Sequence, residues 1–508
     1  MVQKRTARAR SRNWGRGLRA LLLMLGLASF VALTAAEPAP RAQPLLLEMA
    51  AEHPEATVGV IVQKVAKDES IEDLVTVLGG VVTKDLHIIN ALSAELPAKA
   101  VPLLAQASGV RWVSLDAPVL QAESSITVDT SQLQNAYIRT IRADQVWNTA
   151  PYAQGQGITV AVVDSGINAK HSDLKTDPLD LRSRVVAEVK FNSTGKNQSD
   201  WYGHGTHIAG TIGGNGATSG GAYIGVAPQV NLVNVKVSDD QGTASASDVV
   251  SGLQWIYENK DKFNIRVVNL SLNSSSAESY HTSPLDAAVE LLWFNGVVVV
   301  VSAGNNGTSG ILYPPANDPF VITVGATDDR VTADPADDVL AGYSAYGTTE
   351  SGFAKPDLVA PGTNITSLLA SSNARLAREH PDHLVNDSYF RMSGTSMASA
   401  VTAGGVALLL QDEPGLNPDQ VKYRLKATAH PLTSPGTGAG SLDTFAAVHD
   451  GTTETANTGV TASQLLWMGS TPISSGSVSW GSVSWGSVSW GSVSWSSVSW
   501  GSDYWGPE

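Results

Sequence analysis

The chain has 508 residues, 43% of them hydrophobic and 16% charged, enough for roughly two to four domains with a large core; wholesale disorder is excluded. Cysteine is absent, which excludes disulfides, thiolate metal sites and cysteine nucleophiles. The net charge is −14 although the first 36 residues carry seven Lys or Arg and no acid, so the remainder repels phosphate and no nucleic-acid partner is expected.

In chain order, Lys4, Arg5, Arg8, Arg10, Arg12, Arg16 and Arg19 run into the uncharged, largely apolar stretch 20–36, with Thr34, Ala35 and Ala36 before Glu37-Pro38. That is the layout of a secretory signal peptide over 1–36. An uncleaved anchor is the alternative, because the stretch reaches the lower length limit for spanning a bilayer; the small-residue exit favours removal. The rest has no apolar run long enough to span, so a secreted product without a stable membrane span is expected.

Residues 37–120 predict a small α/β unit. A strand at 58–63 precedes a helix at 70–78 that starts at a Ser cap and ends at Gly79-Gly80. Strand-like VVTKDL and HIINALSAEL follow, then a helix from Pro97 to Gln106 and a strand at 110–115, a split βαβ order. Residues 121–136 read as a polar, exposed connection. From 137 to 450, apolar strands at 158–163, 230–237, 267–272 and 297–301 alternate with helices at 248–259, 284–294 and 397–410. This predicts a doubly wound, mainly parallel α/β sheet with function at the carboxyl ends of its strands. Residues 451–475 read as a Thr/Ser/Gly/Ala-rich linker. A tail over 476–508 then repeats GSVSW with a period of five and carries six of the thirteen tryptophans.

Three segments carry chemistry. Asp164 follows the strand ITVAVV directly, His204 opens a helix in GHGTHIAG, and Ser396 opens an apolar helix in SGTSMA. A serine hydroxyl needs a base to take its proton, histidine can accept and return it near neutrality, and a carboxylate fixes the imidazole's tautomer. A helix start also aims N–H groups at a developing oxyanion. The strand VVVVV leads into SAGNNG, where Asn305 can donate a second oxyanion hydrogen bond. His207, three residues past His204, reads as structural. Glu379, His380 and His383 lie in a polar loop without a helical HExxH pattern and read as solvated surface.

DSGIN, YGHGTHIAGTI, VVNLSL, VSAGNNG and MSGTSMASA together resemble the signature blocks of the subtilisin-like serine peptidases, the subtilase family, in the family's order. The resemblance implies a secreted serine endopeptidase that acts on proteins or peptides with Asp164, His204 and Ser396 as catalytic residues, Asn305 in the oxyanion hole and no cofactor for catalysis. It implies that 37–120 is a prodomain, an intramolecular chaperone and inhibitor, with the maturation site in 121–136. Gly242, Thr243 and Ala244, and Ser271, Leu272 and Asn273, match the two segments that flank an extended substrate and pair with it as strands. Asn273-Ser274 departs from the usual two glycines, adding side chains beside the substrate. Ala400 stands in place of a usual proline, which predicts a looser start to the nucleophile helix. Asp173 matches a family carboxylate for a structural Ca²⁺, but its partner loop 213–225 has no carboxylate.

Two other readings compete: an inactive subtilase-fold protein that holds peptides, and a surface adhesin with a peptidase attached. The odd period of the tail puts Val and Trp of successive repeats on opposite faces of a continuous strand. The tail is therefore expected to turn and stack, to stay flexible, or to pack its indoles on an apolar or carbohydrate surface, retaining the protein at the cell.

Overall fold

Two burial rhythms separate the two parts of the molecule. In β1 (Thr57–Lys64) only alternate residues, Val58, Val60 and Val62, are buried, the signature of a sheet covered on one face. In β5 (Thr159–Asp164) all six residues are buried, so that strand is covered on both faces. The computed structural model describes residues 41–117, 128–176, 182–307, 312–468, 471–472 and 497–499. These fall into two units divided after residue 124. The signal-like segment, the residues around the expected maturation site and most of the repeat tail lie outside the described residues.

The first unit contains α1 (Pro44–Glu52), β1, α2 (Ser70–Val77), β2 (Val81–Leu86), β3 (Ala91–Pro97), α3 (Val101–Gln106) and β4 (Val110–Leu115). Its strands pair antiparallel in the order β2-β3-β1-β4, the split βαβ topology expected, with α1 as an addition. The Ser cap is corrected: Ser70 is the first helical residue, and Asp68 accepts its backbone N–H and hydroxyl instead. A 3₁₀ turn over Ala98–Ala100 intervenes before α3.

In the second unit the elements that place the site are β5, β6 (Val185–Lys190), α4 (His204–Gly213), β7 (Asn231–Lys236), β8 (Thr243–Ser245), α5 (Ala246–Phe263), β9 (Ile265–Leu270), β10 (Asn273–Ser274), α6 (Pro284–Phe294), β11 (Val298–Ser302), β12 (Ile322–Asp328), β13 (Val339–Leu340), β14 (Leu358–Pro361), α7 (Thr395–Asp412) and β15 (Ser497–Ser499). The main sheet runs β13-β12-β11-β9-β5-β7-β6, with β14 also beside β12. Every pair is parallel except β12 with β13. The chain runs from β5 to the edge strand β6, returns to β7 beside β5, and then crosses to β9 and onward through β11 and β12 on the other side, so β5 lies where the winding changes sides, the place where such sheets put their sites. Helices α5 and α6 pack together and against the sheet, and α7 packs on β9, β11, β12 and α4. Ala400 is fully buried and α7 runs unbroken past it.

Two boundaries are corrected. Ala462 and Leu466 belong to the main core and Ser463 donates its backbone N–H to Glu290, so the chain through 466 is part of the folded unit rather than linker. Leu133 is likewise core and Asn135 is buried, which removes the end of the expected exposed connection. Among the described residues no helix is long and apolar enough to cross a membrane.

Candidate active site

Strand β5 ends on Asp164, and α4 begins on His204. The imidazole Nδ1 stands 2.9 Å from Asp164 Oδ1 and 3.0 Å from Oδ2, with both side chains buried. Two carboxylate oxygens around one nitrogen fix the proton on Nδ1 and make Nε2 the basic atom. The carboxylate is itself anchored: Oδ1 accepts the N–H of Ser165 at 2.7 Å. Ser165 Oγ lies 3.1 Å from Asp164 Oδ1 and 2.9 Å from Asp200 Oδ1, and accepts the Gly205 N–H. Asp200, buried and raised above the usual carboxylate range by desolvation, also accepts N–H groups of Gly203 and Thr206. It thereby joins the end of β5 to the first turn of α4. Gly205 is sterically required, because a methyl group there would stand 2.2 Å from the Gly166 carbonyl oxygen and 2.8 Å from Asp164 Oδ1.

Ser396 is the second residue of α7, whose first-turn N–H groups have no partners within the helix. Its Oγ lies 3.4 Å from the carbonyl of Ser271. Ser271 Oγ in turn contacts the Ser396 carbonyl and Ser399 Oγ, each at 3.1 Å, so this residue, two before β10, braces the first turn of α7. Asn305 follows β11. Its Oδ1 accepts both the backbone N–H and the hydroxyl of Thr395, each at 2.9 Å. That assignment turns Nδ2 toward Gly394, where a methyl group would meet it at 3.2 Å and the Ser396 nitrogen at 3.8 Å. The absent side chain of Gly394 thus leaves a hollow onto which two donors converge.

The two expected substrate segments form the walls of a slot. Thr243 and Ala244 lie in β8, after Gly242, whose φ of +84° and whose contact with the Tyr202 ring both demand glycine. Asn273 begins β10, following Ser271 and the buried Leu272. Between them runs β15, antiparallel to both, so the walls are far enough apart for one extended strand. The Asn273 side chain is buried and donates to the Ser302 carbonyl rather than standing free beside that strand.

His207 Nε2 faces the carbonyls of Ile365 and Phe390 at 3.0 and 3.1 Å, and burial first, then the neighbouring His204, pushes it down to about 3. It is a neutral donor that ties α4 to its surroundings. Glu379 pairs with Arg375, and His383 contacts the Arg391 carbonyl; no group of acids and histidines able to hold a metal occurs among the described residues. The donor set around Asp173 does not fit calcium. Its carboxylate accepts from Thr218 N–H and hydroxyl and from Tyr389. The Arg184 guanidinium takes the carbonyls of Asp173, Gly213 and Val230. Burial lowers Arg184 only to about 10, so it remains a cation.

Ser165, Asp200 and Thr395 join the expected residues Asp164, His204, Ser396 and Asn305 here; DSG and GTS contain Ser165 and Thr395, but no sequence pattern marks their role. Their work is done through bonds across dozens of residues.

Fold and site are those of an α/β serine peptidase. The family model of Peptidase S8, the Subtilase family, matches residues 155–462, and the chain belongs to that family. It is 39% identical over 345 residues to serine protease AprX of Bacillus subtilis (strain 168), covering 66% of this chain and 74% of AprX. It is 35% identical over 296 residues to subtilisin DY of Bacillus licheniformis, covering 58% of this chain and 90% of that protein. With subtilisin E of Bacillus subtilis (strain 168) it shares 31% identity over 366 residues, 70% and 80% of the two chains.

Proposed function

We propose that this subtilase is an exported endopeptidase that hydrolyses peptide bonds through an acyl-enzyme at Ser396, with Asp164 and His204 completing the triad. The observation that carries the reading is the contact of His204 Nδ1 with both oxygens of Asp164. Nε2 takes the Ser396 proton as Oγ attacks the scissile carbonyl carbon. The resulting oxyanion accepts hydrogen bonds from Asn305 Nδ2 and the Ser396 N–H. Nε2 then protonates the leaving amine as the C–N bond breaks, and water repeats the sequence on the ester. Every group needed is a side chain or backbone donor, so catalysis calls for no cofactor.

The first unit acts as the prodomain, cleaved by the enzyme itself, and residues 1–36 as the export signal. Family membership and the split βαβ topology support this. The deciding experiment is Ser396→Ala. A fluorophosphonate probe labels the wild type at Ser396 and leaves the variant unlabelled. Hydrolysis drops by about 10⁶, the value for subtilisin itself, and the first unit stays attached. A variant that matures unaided sinks self-processing; one that still hydrolyses peptides sinks the triad.

A further inference from the structure

The slot between β8 and β10 holds a piece of the protein's own tail. Ser497 pairs with Ser245, Val498 with Ala244 and Ser274, and Ser499 with Thr243 and Asn273. All three residues belong to the fifth of five Ser-Val-Ser units, at 477–479, 482–484, 487–489, 492–494 and 497–499.

The polarity of the pairing matters. Because β15 is antiparallel to β10, stepping back from Asn273 to Ser271 means stepping forward from Ser499 along the tail. For any peptide bound in this register, the residue two places after the one opposite Asn273 comes to Ser271, whose carbonyl lies 3.4 Å from Ser396 Oγ. The tail therefore approaches the nucleophile with its carboxyl-terminal side leading, and the residues already paired belong to the acyl part of the bond that would be cut. A strand bound in the reverse sense would present no such bond.

We propose that the repeat tail is a tethered substrate of the same chain's active site, resting on the assignment of Ser396 as nucleophile made above. Extended Ser-Val-Ser strands are the peptide class the slot takes. Water adds across the peptide bond that follows the residue opposite Ser271, two places after the last serine of a Ser-Val-Ser unit: the carbonyl carbon keeps the hydroxyl as a carboxylate and the amine leaves with the proton. Cutting one copy frees the one before it to take the same register, so the tail shortens in steps of five residues. Until it is shortened, a segment on a short tether has an effective concentration on the order of mM, at or above common KM values, and holds external substrates off. The expected contact of the indoles with an outside surface concerns residues beyond those described; the strand at 497–499 gives the tail a partner within the chain.

The test compares the full chain with a variant carrying Val478→Pro, Val483→Pro, Val488→Pro, Val493→Pro and Val498→Pro, which removes the N–H of the residue that meets both walls. Intact-mass spectrometry follows the tail while casein hydrolysis is measured in parallel. The wild type yields a ladder of carboxyl-terminal products one repeat apart, and its casein rate rises by about tenfold as the tail shortens. The variant gives no ladder and starts at the higher rate. Addition of the free peptide GSVSWGSVSW to the variant competes with casein and is cut after its second glycine. Casein hydrolysis with an intact wild-type tail and no effect of the prolines overturns the proposal. No fluorophosphonate labelling and no casein hydrolysis in either protein overturns the assignment beneath it.

Discussion

Asn305 accepts both the backbone N–H and the hydroxyl of Thr395, the residue directly before Ser396. One carboxamide thus serves two purposes: its oxygen holds the start of α7, and its nitrogen is thereby aimed into the hollow beside Gly394.

The two purposes separate by substitution. Asn305→Asp retains an acceptor for Thr395 and loses the donor, so the protein should keep its thermal midpoint within a few degrees while kcat falls by roughly 10²–10³ at similar KM. That magnitude is the one known for removing such a donor from subtilisin. Asn305→Leu loses both and should add a stability cost of about 1–3 kcal/mol. Asn306→Leu is the control and should cost far less rate. A normal kcat in Asn305→Asp would assign Asn305 to structure alone.

Gly205→Ala pushes a methyl into the Gly166 carbonyl and the Asp164 carboxylate. The end of β5 must part from α4, and displacement on the order of 1 Å between catalytic groups costs about 10²-fold in kcat. Steady-state kinetics on a peptide substrate reads this directly; a wild-type rate would show that the Asp164–His204 contact tolerates a wider gap.

Burial, with the charge of Asp318 next, raises Asp286 and Glu290 well above the usual carboxylate range, Glu350 and Glu278 adding to the shift at Asp286; burial also raises Asp318 to about 6, against the lowering effect of Lys355 and of its hydrogen bond with Glu290. The folded state therefore holds protons that the unfolded chain has released. Stability is full below the unfolded carboxylate range and declines as pH rises through about 6 and beyond. Glu290→Gln keeps an acceptor for the Ser463 N–H and removes one ionisation. In the Ser396→Ala background, which prevents autolysis, the fall in Tm between about pH 5 and pH 8 should shrink by a few degrees. An unchanged slope would place the titration elsewhere.

Much of the second unit is legible in the sequence because burial on both faces leaves unbroken apolar runs. The helix predicted at 284–294 is α6 residue for residue, and Asp164, His204 and Ser396 stand at the strand end and helix starts expected of them. The segment after 450 misled for the opposite reason. Ala462 and Leu466 are the buried anchors of a polar stretch, and the group that accepts the Ser463 N–H is Glu290, far away in sequence. Thr395 and Asp200 were equally hidden, since a hydrogen bond from Thr395 to Asn305 or from Ser165 to Asp200 imposes no periodicity on the chain. At the start of α2, Ser70 reads as a cap by residue type, and only the backbone path shows it to be the first helical residue, with its N–H and hydroxyl held by Asp68.

Arg184 has a consequence for where the protein can work. A divalent ion bridging three carbonyls is held by mass action and leaves when its free concentration falls. A guanidinium that reaches the carbonyls of Asp173, Gly213 and Val230 is carried by the chain itself and cannot be diluted, chelated or exchanged. At this corner of the fold, stability becomes a property of the polypeptide rather than of the medium, and a chelator should leave its Tm where it was.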